Sequence, residues 1–135
     1  MNNRYIFRGK RKDNGEWETG FLVITRYGCS DEQYFITDKM TGYHTPVIPE
    51  TVGRCTGKTD CNGKFIFECD LLRFTDSDGG QSIYKVFYND NYAGWAIQEI
   101  GCGGVDSMAD WEINREYFEV VGSMYDNPEL LEVER

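Results

Sequence analysis

Short apolar or aromatic runs alternate with polar turn sequences along the chain at a spacing of roughly ten residues, which is typical of all-β proteins. The pattern predicts strands and very little helix. The predicted strands are 4–8, 17–25, 33–37, 43–48, 64–67, 71–74, 83–88, 95–100 and 117–125. We therefore expect a mainly β protein that is built from small antiparallel sheets or a barrel.

Two Asn-Gly pairs mark the clearest turns in this pattern. Both residue types tolerate the positive φ that a two-residue hairpin turn requires. Asn14-Gly15 and Asn62-Gly63 each lie between strand-like sequences, so each pair predicts a hairpin.

The clearest helix signal lies near the end of the sequence. Asn127 is a favourable cap, Pro128 suits the first helical position, and an acid follows. We expect a short C-terminal helix that docks through Leu130 and Leu131. A helical turn within 107–116 stays open, because the pattern there is ambiguous.

The length of 135 residues fits one domain, and Ile48-Pro49 is the best internal boundary. We predict an N-terminal β subdomain over 1–48 and a C-terminal β subdomain over 49–135, with a single compact unit as the alternative. A chain of this length buries roughly two-thirds of its surface on folding, so it needs no disulfide or metal.

The five cysteines are an odd number and lack the paired spacing of zinc sites. Zinc ligands come in close Cys pairs, whereas the gaps between Cys55, Cys61 and Cys69 are longer, and His44 is the one histidine. Residues 1–8 become charged before any signal-like apolar run, and no apolar stretch reaches the roughly 20 residues of a membrane span. We expect a cytoplasmic protein with reduced thiols, no metal and no cofactor.

The net charge of −9 is unevenly distributed. Residues 1–70 contain ten basic and ten acidic side chains, whereas 71–135 contain four basic and thirteen acidic ones. The first five charged residues are all basic. The acidic second part disfavours broad nucleic-acid binding, which depends on neutralising phosphates.

Motifs with catalytic or ligand-binding chemistry are incomplete in this chain. Gly-Lys-Thr at 57–59 ends like a phosphate-binding loop, but that loop needs four residues between its glycines, and three separate Gly53 from Gly57. The acidic turn at 76–80 begins like a calcium loop and lacks the required glycine and glutamate. His44 is isolated, and no cysteine carries a local cysteine-enzyme sequence. We predict that the protein is not an enzyme.

Four residues are candidate partner contacts. Tyr92 and Trp95 bracket a predicted loop, and Arg4 and Arg8 belong to the basic first strand. For the aromatic residues the alternative is core and cross-strand packing.

Two segments carry a specific sequence pattern. The first, 49–72, contains Pro-Glu-Thr-Val-Gly, then Thr-Gly, Asp-Cys-Asn-Gly-Lys, an apolar strand and Glu-Cys-Asp-Leu. The second, 120–131, reads Val-Val-Gly-Ser-Met-Tyr-Asp-Asn-Pro-Glu-Leu-Leu. Both segments, in this order, resemble the YopX family of phage and prophage proteins of Gram-positive bacteria. Cys69 stands where that family commonly has Gly, which suggests backbone strain or a different turn.

The resemblance implies a mostly β fold with an SH3-like barrel in the second part and a phage or prophage origin. It implies no catalytic residue, because the family has no assigned activity. We expect a non-catalytic binding or assembly module. Its partner would be a second copy of the chain, in a homo-oligomer, or a host or phage protein. The alternatives are an acidic nucleic-acid mimic that inhibits a host DNA-binding protein, and a direct nucleic-acid binder.

Overall fold

Eleven strands and one short α-helix lie in the residues that the computed structural model describes, which are 5–26, 28 and 31–132. The strands are β1 (Phe7–Lys10), β2 (Trp17–Thr25), β3 (Gln33–Thr37), β4 (His44–Pro46), β5 (Gly53–Thr59), β6 (Phe65–Phe67), β7 (Asp70–Thr75), β8 (Gln81–Asn89), β9 (Gly94–Glu99), β10 (Val105–Ser107) and β11 (Phe118–Ser123). The α-helix α1 is Trp111–Asn114, and 3-10 helices cover Pro49–Thr51, Arg115–Tyr117 and Pro128–Leu131. The chain divides into unit 1, Met1–Cys55, and unit 2, Thr56–Arg135.

Unit 1 is an antiparallel sheet with the strand order β4-β3-β2-β1, to which the first residues of β5 add beside β1. The β1–β2 hairpin pairs Lys10 with Trp17, and Gly15 adopts φ +74° in its turn, which confirms the hairpin predicted there. Buried residues of its strands and connections form a small hydrophobic core: Ile6, Ile36, Val47 and Cys55.

Unit 2 contains a five-stranded antiparallel sheet with the order β10-β9-β8-β7-β11. The rest of β5 enters this unit and lies beside β6, where the Thr56 hydroxyl donates to the Ile66 carbonyl at 2.8 Å. The core of unit 2 combines buried residues of the sheet, β6, α1 and the turn before it: Ile66, Leu72, Val86, Ile97, Met108, Trp111 and Phe118.

The turn between β5 and β6 is organised by Asp60, which is 1% exposed. Its Oδ1 accepts the backbone N–H groups of Asn62 and Lys64, both at 2.9 Å, and its Oδ2 accepts that of Val120 at 2.9 Å. Gly63 takes φ +80°, so the second predicted hairpin is also confirmed. The Asp-Cys-Asn-Gly-Lys sequence is therefore a structural turn that links this hairpin to β11.

The mainly β prediction is confirmed, and the predicted strands 17–25 and 33–37 coincide with β2 and β3. The sequence pattern does not predict β5 or β10. β5 contains two glycines among polar residues and shows no apolar alternation. β10 is an edge strand whose three residues are all exposed, so burial leaves no pattern in its sequence.

One detail of the expected architecture differs. In the described residues β10 and β11 are the two edges of an open five-stranded sheet, and no closed barrel is found. The predicted short C-terminal helix is present as the 3-10 helix Pro128–Leu131, with Asn127 as its N-cap residue. The two units divide after Cys55, because Gly53 and Arg54 still pair with β1.

Candidate functional site

Unit 2 carries a cleft of about 450 Å³ with an aromatic floor and a polar rim, which we call the acidic cleft. Its floor comes from β7, β8, β9, α1 and β11, and its rim from β10, from the residue before α1 and from α1 itself. The lining residues are Phe74, Tyr84, Ile97, Asp106, Ser107, Asp110, Trp111, Asn114 and Phe118.

The floor is held by ring contacts around Phe118. The ring centroids of Phe74, Tyr84 and Trp111 lie 5.1, 5.5 and 4.8 Å from that of Phe118. Antiparallel pairing of β7 with β11 places Phe74 directly opposite Phe118. The indole N–H of Trp111 donates to the Thr59 carbonyl at 2.7 Å, which fixes the ring. The floor is therefore a preformed aromatic surface.

The rim of the acidic cleft carries two exposed carboxylates, Asp106 and Asp110. Neither forms an ion pair with any residue that the structure describes. The pKa of the Tyr84 phenol is raised, first by burial and then by the negative charges of Glu99 and Asp106. The cleft is therefore an electronegative environment.

A second cleft, of about 330 Å³, adjoins the first, and we call it the Tyr92 cleft. Its lining is mainly apolar and includes one basic residue: Lys58, Tyr92, Gly94, Trp95, Ser107, Met108 and Ala109. Ser107 of β10 lines both clefts. The two clefts therefore meet at the edge strand.

The loop between β8 and β9 presents Tyr92, whose side chain is 47% exposed. Ala93 has φ +54°, a left-handed conformation that a non-glycine residue rarely adopts. A Cβ on Gly94 would lie 3.0 Å from Cε2 of Tyr92, so the ring packs closely on that glycine. Trp95 is half-buried and contacts Tyr88 edge to face at 5.3 Å between ring centroids. Strain and a glycine thus set the position of an exposed aromatic ring.

The structure brings together two of the four predicted contact residues. Tyr92 and Trp95 line the same cleft. Arg8 belongs to unit 1, where it is 9% exposed and its guanidinium carbon lies 4.2 Å from the centroid of the Trp17 ring. Arg4 lies outside the described residues. A contact role for these residues stays a prediction.

The sequence pattern did not identify the acidic cleft. Phe74 and Tyr84 appear as ordinary strand residues, and Asp106 and Asp110 belong to a segment without a clear period. One available signal was the concentration of acidic residues around Trp111 in the acidic half of the chain. Acidic side chains that flank a large aromatic residue in an irregular segment favour a surface cleft, with the aromatic ring inside and the carboxylates at its edge.

The histidine and cysteines do not combine into a metal site in the described residues, where no group of three or more potential ligands occurs. His44 lies in unit 1, with Nδ1 2.7 Å from the Thr37 hydroxyl.

The exposed thiol of Cys102 has a raised pKa because Glu99 accepts a hydrogen bond from it and repels the negative charge of the thiolate. The exposed thiol of Cys61 has a raised pKa because of partial burial and the charges of Asp60 and Glu119. Both thiols stay protonated and are poor nucleophiles at neutral pH.

No helix within the described part of the chain combines the length and the apolar character needed to cross a membrane.

Comparison with known proteins gives one family and one fold. A family model described as YopX protein matches residues 6–132. The crystal structure of protein yopX from Bacillus subtilis is similar at a TM-score of 0.56 and 22% sequence identity, over 98% of this chain and 100% of that chain. The likeness to that structure shows a shared fold. None of the curated proteins matches the chain in sequence.

Proposed function

The chain belongs to the YopX family, which has no assigned function, and from this premise we propose that it is a non-catalytic binding module for a protein partner. The partner would lie along β10 and contact both clefts of unit 2. The observation that carries the proposal is the meeting of two clefts of unlike chemistry at Ser107.

The edge strand β10 suits an extended partner segment. β10 pairs with β9 on one side through Asp106 opposite Ile97 and Ser107 opposite Ala96, and it is an edge of the sheet on the other. An extended chain can add to such an edge through backbone hydrogen bonds, while pockets for its alternate side chains supply selectivity. The two clefts beside β10, one mainly apolar and one acidic, would serve as such pockets.

The chemistry of the clefts supports binding rather than catalysis. A nucleophile or general base needs a neighbouring activating group or a pKa near neutral. The Tyr84 phenol in the acidic cleft has a raised pKa and stays protonated at neutral pH. Ser107 Oγ accepts the Ala109 backbone N–H at 3.1 Å, which positions its hydroxyl in the turn.

Photocrosslinking tests the proposed surface. A photoreactive phenylalanine analogue replaces Tyr92 in the full chain, and the same analogue at Met40 serves as control, because Met40 is 88% exposed and belongs to unit 1. We expect a discrete protein adduct from position 92 in cells that express the chain, and none from position 40. Trp95→Ala in the same chain should remove the adduct.

Mass spectrometry of the adduct identifies the residue of the partner to which position 92 is crosslinked, and this residue decides whether the proposal holds. Adducts that map to one contiguous segment of one protein support the proposal, and the segment of a second copy identifies a homo-oligomer. Light scattering at low and high salt then gives its stoichiometry. Equal labelling from positions 92 and 40, or adducts scattered over many proteins, would overturn the proposal.

The charge distribution favours a second candidate, mimicry of nucleic acid. Unit 2 contains six Lys and Arg against sixteen Asp and Glu, a net of −10, whereas unit 1 has eight against seven. An acidic surface of this kind can occupy the basic DNA-binding face of a host protein. The adduct at position 92 would then be a DNA-binding protein, and DNA should compete with adduct formation. Adduct formation that DNA does not affect counts against mimicry.

A further inference from the structure

We propose that the acidic cleft is a subsite for an arginine side chain of a basic, extended partner segment. This inference rests on the proposed function and deepens it by naming the chemistry of the partner. Three features of the cleft carry it: its aromatic floor, its two carboxylates and its position beside an open strand edge.

The floor offers ring surface to a planar cation. Phe74 and Tyr84 are half-buried, with ring centroids 6.1 Å apart at 75°. The ring of Tyr117, which is 45% exposed, is a neighbour of the cleft, with its centroid 6.1 Å from that of Phe74. The faces of aromatic rings are negative and attract cations, and a guanidinium also stacks on them.

The rim supplies the hydrogen-bond acceptors that a guanidinium requires. Asp106 lies on β10 and Asp110 directly precedes α1, and no described residue forms an ion pair with either. An arginine presents five N–H donors in a fixed planar fork that matches carboxylates. An arginine in the cleft would therefore neutralise charge that the described part of the fold leaves unpaired.

The donor set favours an organic cation over a metal ion. Hard divalent ions need six or more oxygen ligands, whereas much of this cleft is aromatic. No group of three potential metal ligands occurs among the described residues. The volume of about 450 Å³ lies in the range of sites for small organic groups.

The strand edge relates the cleft to a protein segment rather than to a free amine. Asp106 is a residue of β10, whose outer edge is open within the described residues. A segment added to this edge would project alternate side chains to one side, and an arginine among them could enter the cleft. The net charge of −10 on unit 2 is complementary to a basic segment.

An NMR titration of the full chain with N-acetyl-arginine amide tests the subsite. N-acetyl-citrulline amide is the neutral control, because citrulline keeps the shape of arginine without its charge. We expect saturable shifts of the Trp111 indole N–H and the Tyr84 ring with the arginine compound at low salt. We expect citrulline amide to bind at least tenfold more weakly, and the lysine analogue to bind more weakly than arginine.

Tyr84 provides a second readout. Burial raises the pKa of Tyr84 most, and the negative charges of Glu99 and Asp106 raise it further, so a cation bound beside these carboxylates should lower it. Absorbance or NMR titration of Tyr84 with and without saturating arginine amide measures the change. A Tyr84 pKa that stays the same or rises on binding contradicts the placement of the cation.

The variants Asp106→Asn and Asp110→Asn should each weaken arginine binding several-fold, and the double variant more than tenfold. Both residues are exposed, and the Asp110 side chain makes no cap hydrogen bond to α1, so the fold should tolerate these changes. Asp78→Asn is the matched control, because it removes one negative charge from the exposed β7–β8 turn. Equal loss of affinity in Asp78→Asn would indicate bulk charge and overturn the subsite.

Failure of this inference is distinguishable from failure of the proposed function. If arginine amide causes no saturable shift while the adduct from position 92 persists, the module stands and the arginine subsite is wrong. If arginine binds and position 92 gives no discrete adduct, the subsite stands and the binding of a protein segment along β10 is wrong.

Discussion

Cys69 adopts a backbone conformation that is unfavourable for a residue with a side chain. Its φ is +69°, in the left-handed region, and its N–H donates to Val86 while its carbonyl accepts from Met124. These two backbone bonds hold the turn between β6 and β7 next to β8 and the end of β11. A left-handed conformation costs a non-glycine residue roughly 1–2 kcal/mol.

We predict that Cys69→Gly raises the free energy of unfolding relative to Cys69→Ala by about 1 kcal/mol, because glycine adopts positive φ without the steric cost. The alanine variant is the proper reference, since both variants remove the thiol and its 3.7 Å contact with the Tyr125 hydroxyl. Urea denaturation measures both. Equal stability of the two variants would show that the turn is not strained.

Asp38 provides a test of pH dependence at a single residue. Its pKa is lowered because the backbone N–H groups of Thr41 and Met40 bind its carboxylate. A depressed pKa in the folded state means that the contribution to stability is present above the unfolded value, near 3.8, and is lost as the pH falls through the folded value.

We therefore expect the Asp38 carboxyl to titrate below 3.8 in an NMR titration, and the stability of the chain to fall with acidification in that range. Asp13 should also titrate low, because Arg11 donates two side-chain hydrogen bonds to it. Arg11→Gln should raise the Asp13 pKa and leave that of Asp38 unchanged. A shift of both would show that the local hydrogen bonds are not the cause.

At the scale of elements, the Asp60 turn joins the β5–β6 hairpin to β11. One buried carboxylate accepts three backbone N–H groups, from Asn62, Lys64 and Val120. The Arg115 guanidinium also donates to the Asp60 carbonyl at 3.1 Å. The acidic cleft includes Phe118 of the same strand β11, so this turn supports the site.

We predict that Asp60→Ala lowers the free energy of unfolding by about 3 kcal/mol, because three backbone N–H groups lose their charged acceptor. Asp60→Asn should cost less, since its amide oxygen can still accept the bonds of Asn62 and Lys64 while its amide nitrogen faces the Val120 N–H. Chemical denaturation gives the order of the two variants. An equal or larger loss in the asparagine variant would contradict this account.

The β8–β9 loop makes a second test at the element scale. Gly94→Ala places a Cβ 3.0 Å from Cε2 and 3.2 Å from Cδ2 of Tyr92, so the ring must move. We expect changed Tyr92 ring shifts in NMR spectra and a reduced yield of the adduct from an analogue at position 92. Gly104→Ala is the control, because its Cβ would meet no atom within 4 Å. Similar changes in both variants would show that contact with Tyr92 is not responsible.

At the scale of the whole molecule, the charge of unit 2 opposes its own folding. Unit 2, Thr56–Arg135, carries a net charge of −10, and its acidic side chains repel one another at low ionic strength. The Debye length falls from about 30 Å at 0.01 M salt to about 10 Å at 0.1 M, so added salt screens this repulsion.

We therefore predict that the free energy of unfolding rises with sodium chloride between these two concentrations. Urea denaturation at each salt concentration measures the change, and sucrose at matched osmolality controls for general solvent effects. A stability that falls with salt would mean that attractive ion pairs, rather than repulsion, dominate the charge interactions.

Much of the fold could be predicted from the sequence because burial leaves a pattern in it. β2 and β3 carry β-branched and aromatic residues between polar turns, and they were predicted to the residue. β5 and β10 were missed because glycine and exposed residues leave no such pattern. Tyr92 and Trp95 could be predicted as a pair because they bracket one loop.

The sequence by itself determined the mainly β class, the two Asn-Gly hairpins, the family and the acidic second half. These properties depend on local conformational preference, composition and motif order. Only the tertiary structure decided that Asp106 and Asp110 form the rim of a cleft over Phe74 and Tyr84. Pairing of β7, β8, β9 and β10 brings Phe74, Tyr84 and Asp106 to one part of the sheet, and Asp110 follows just before α1. No spacing along a single strand encodes this arrangement.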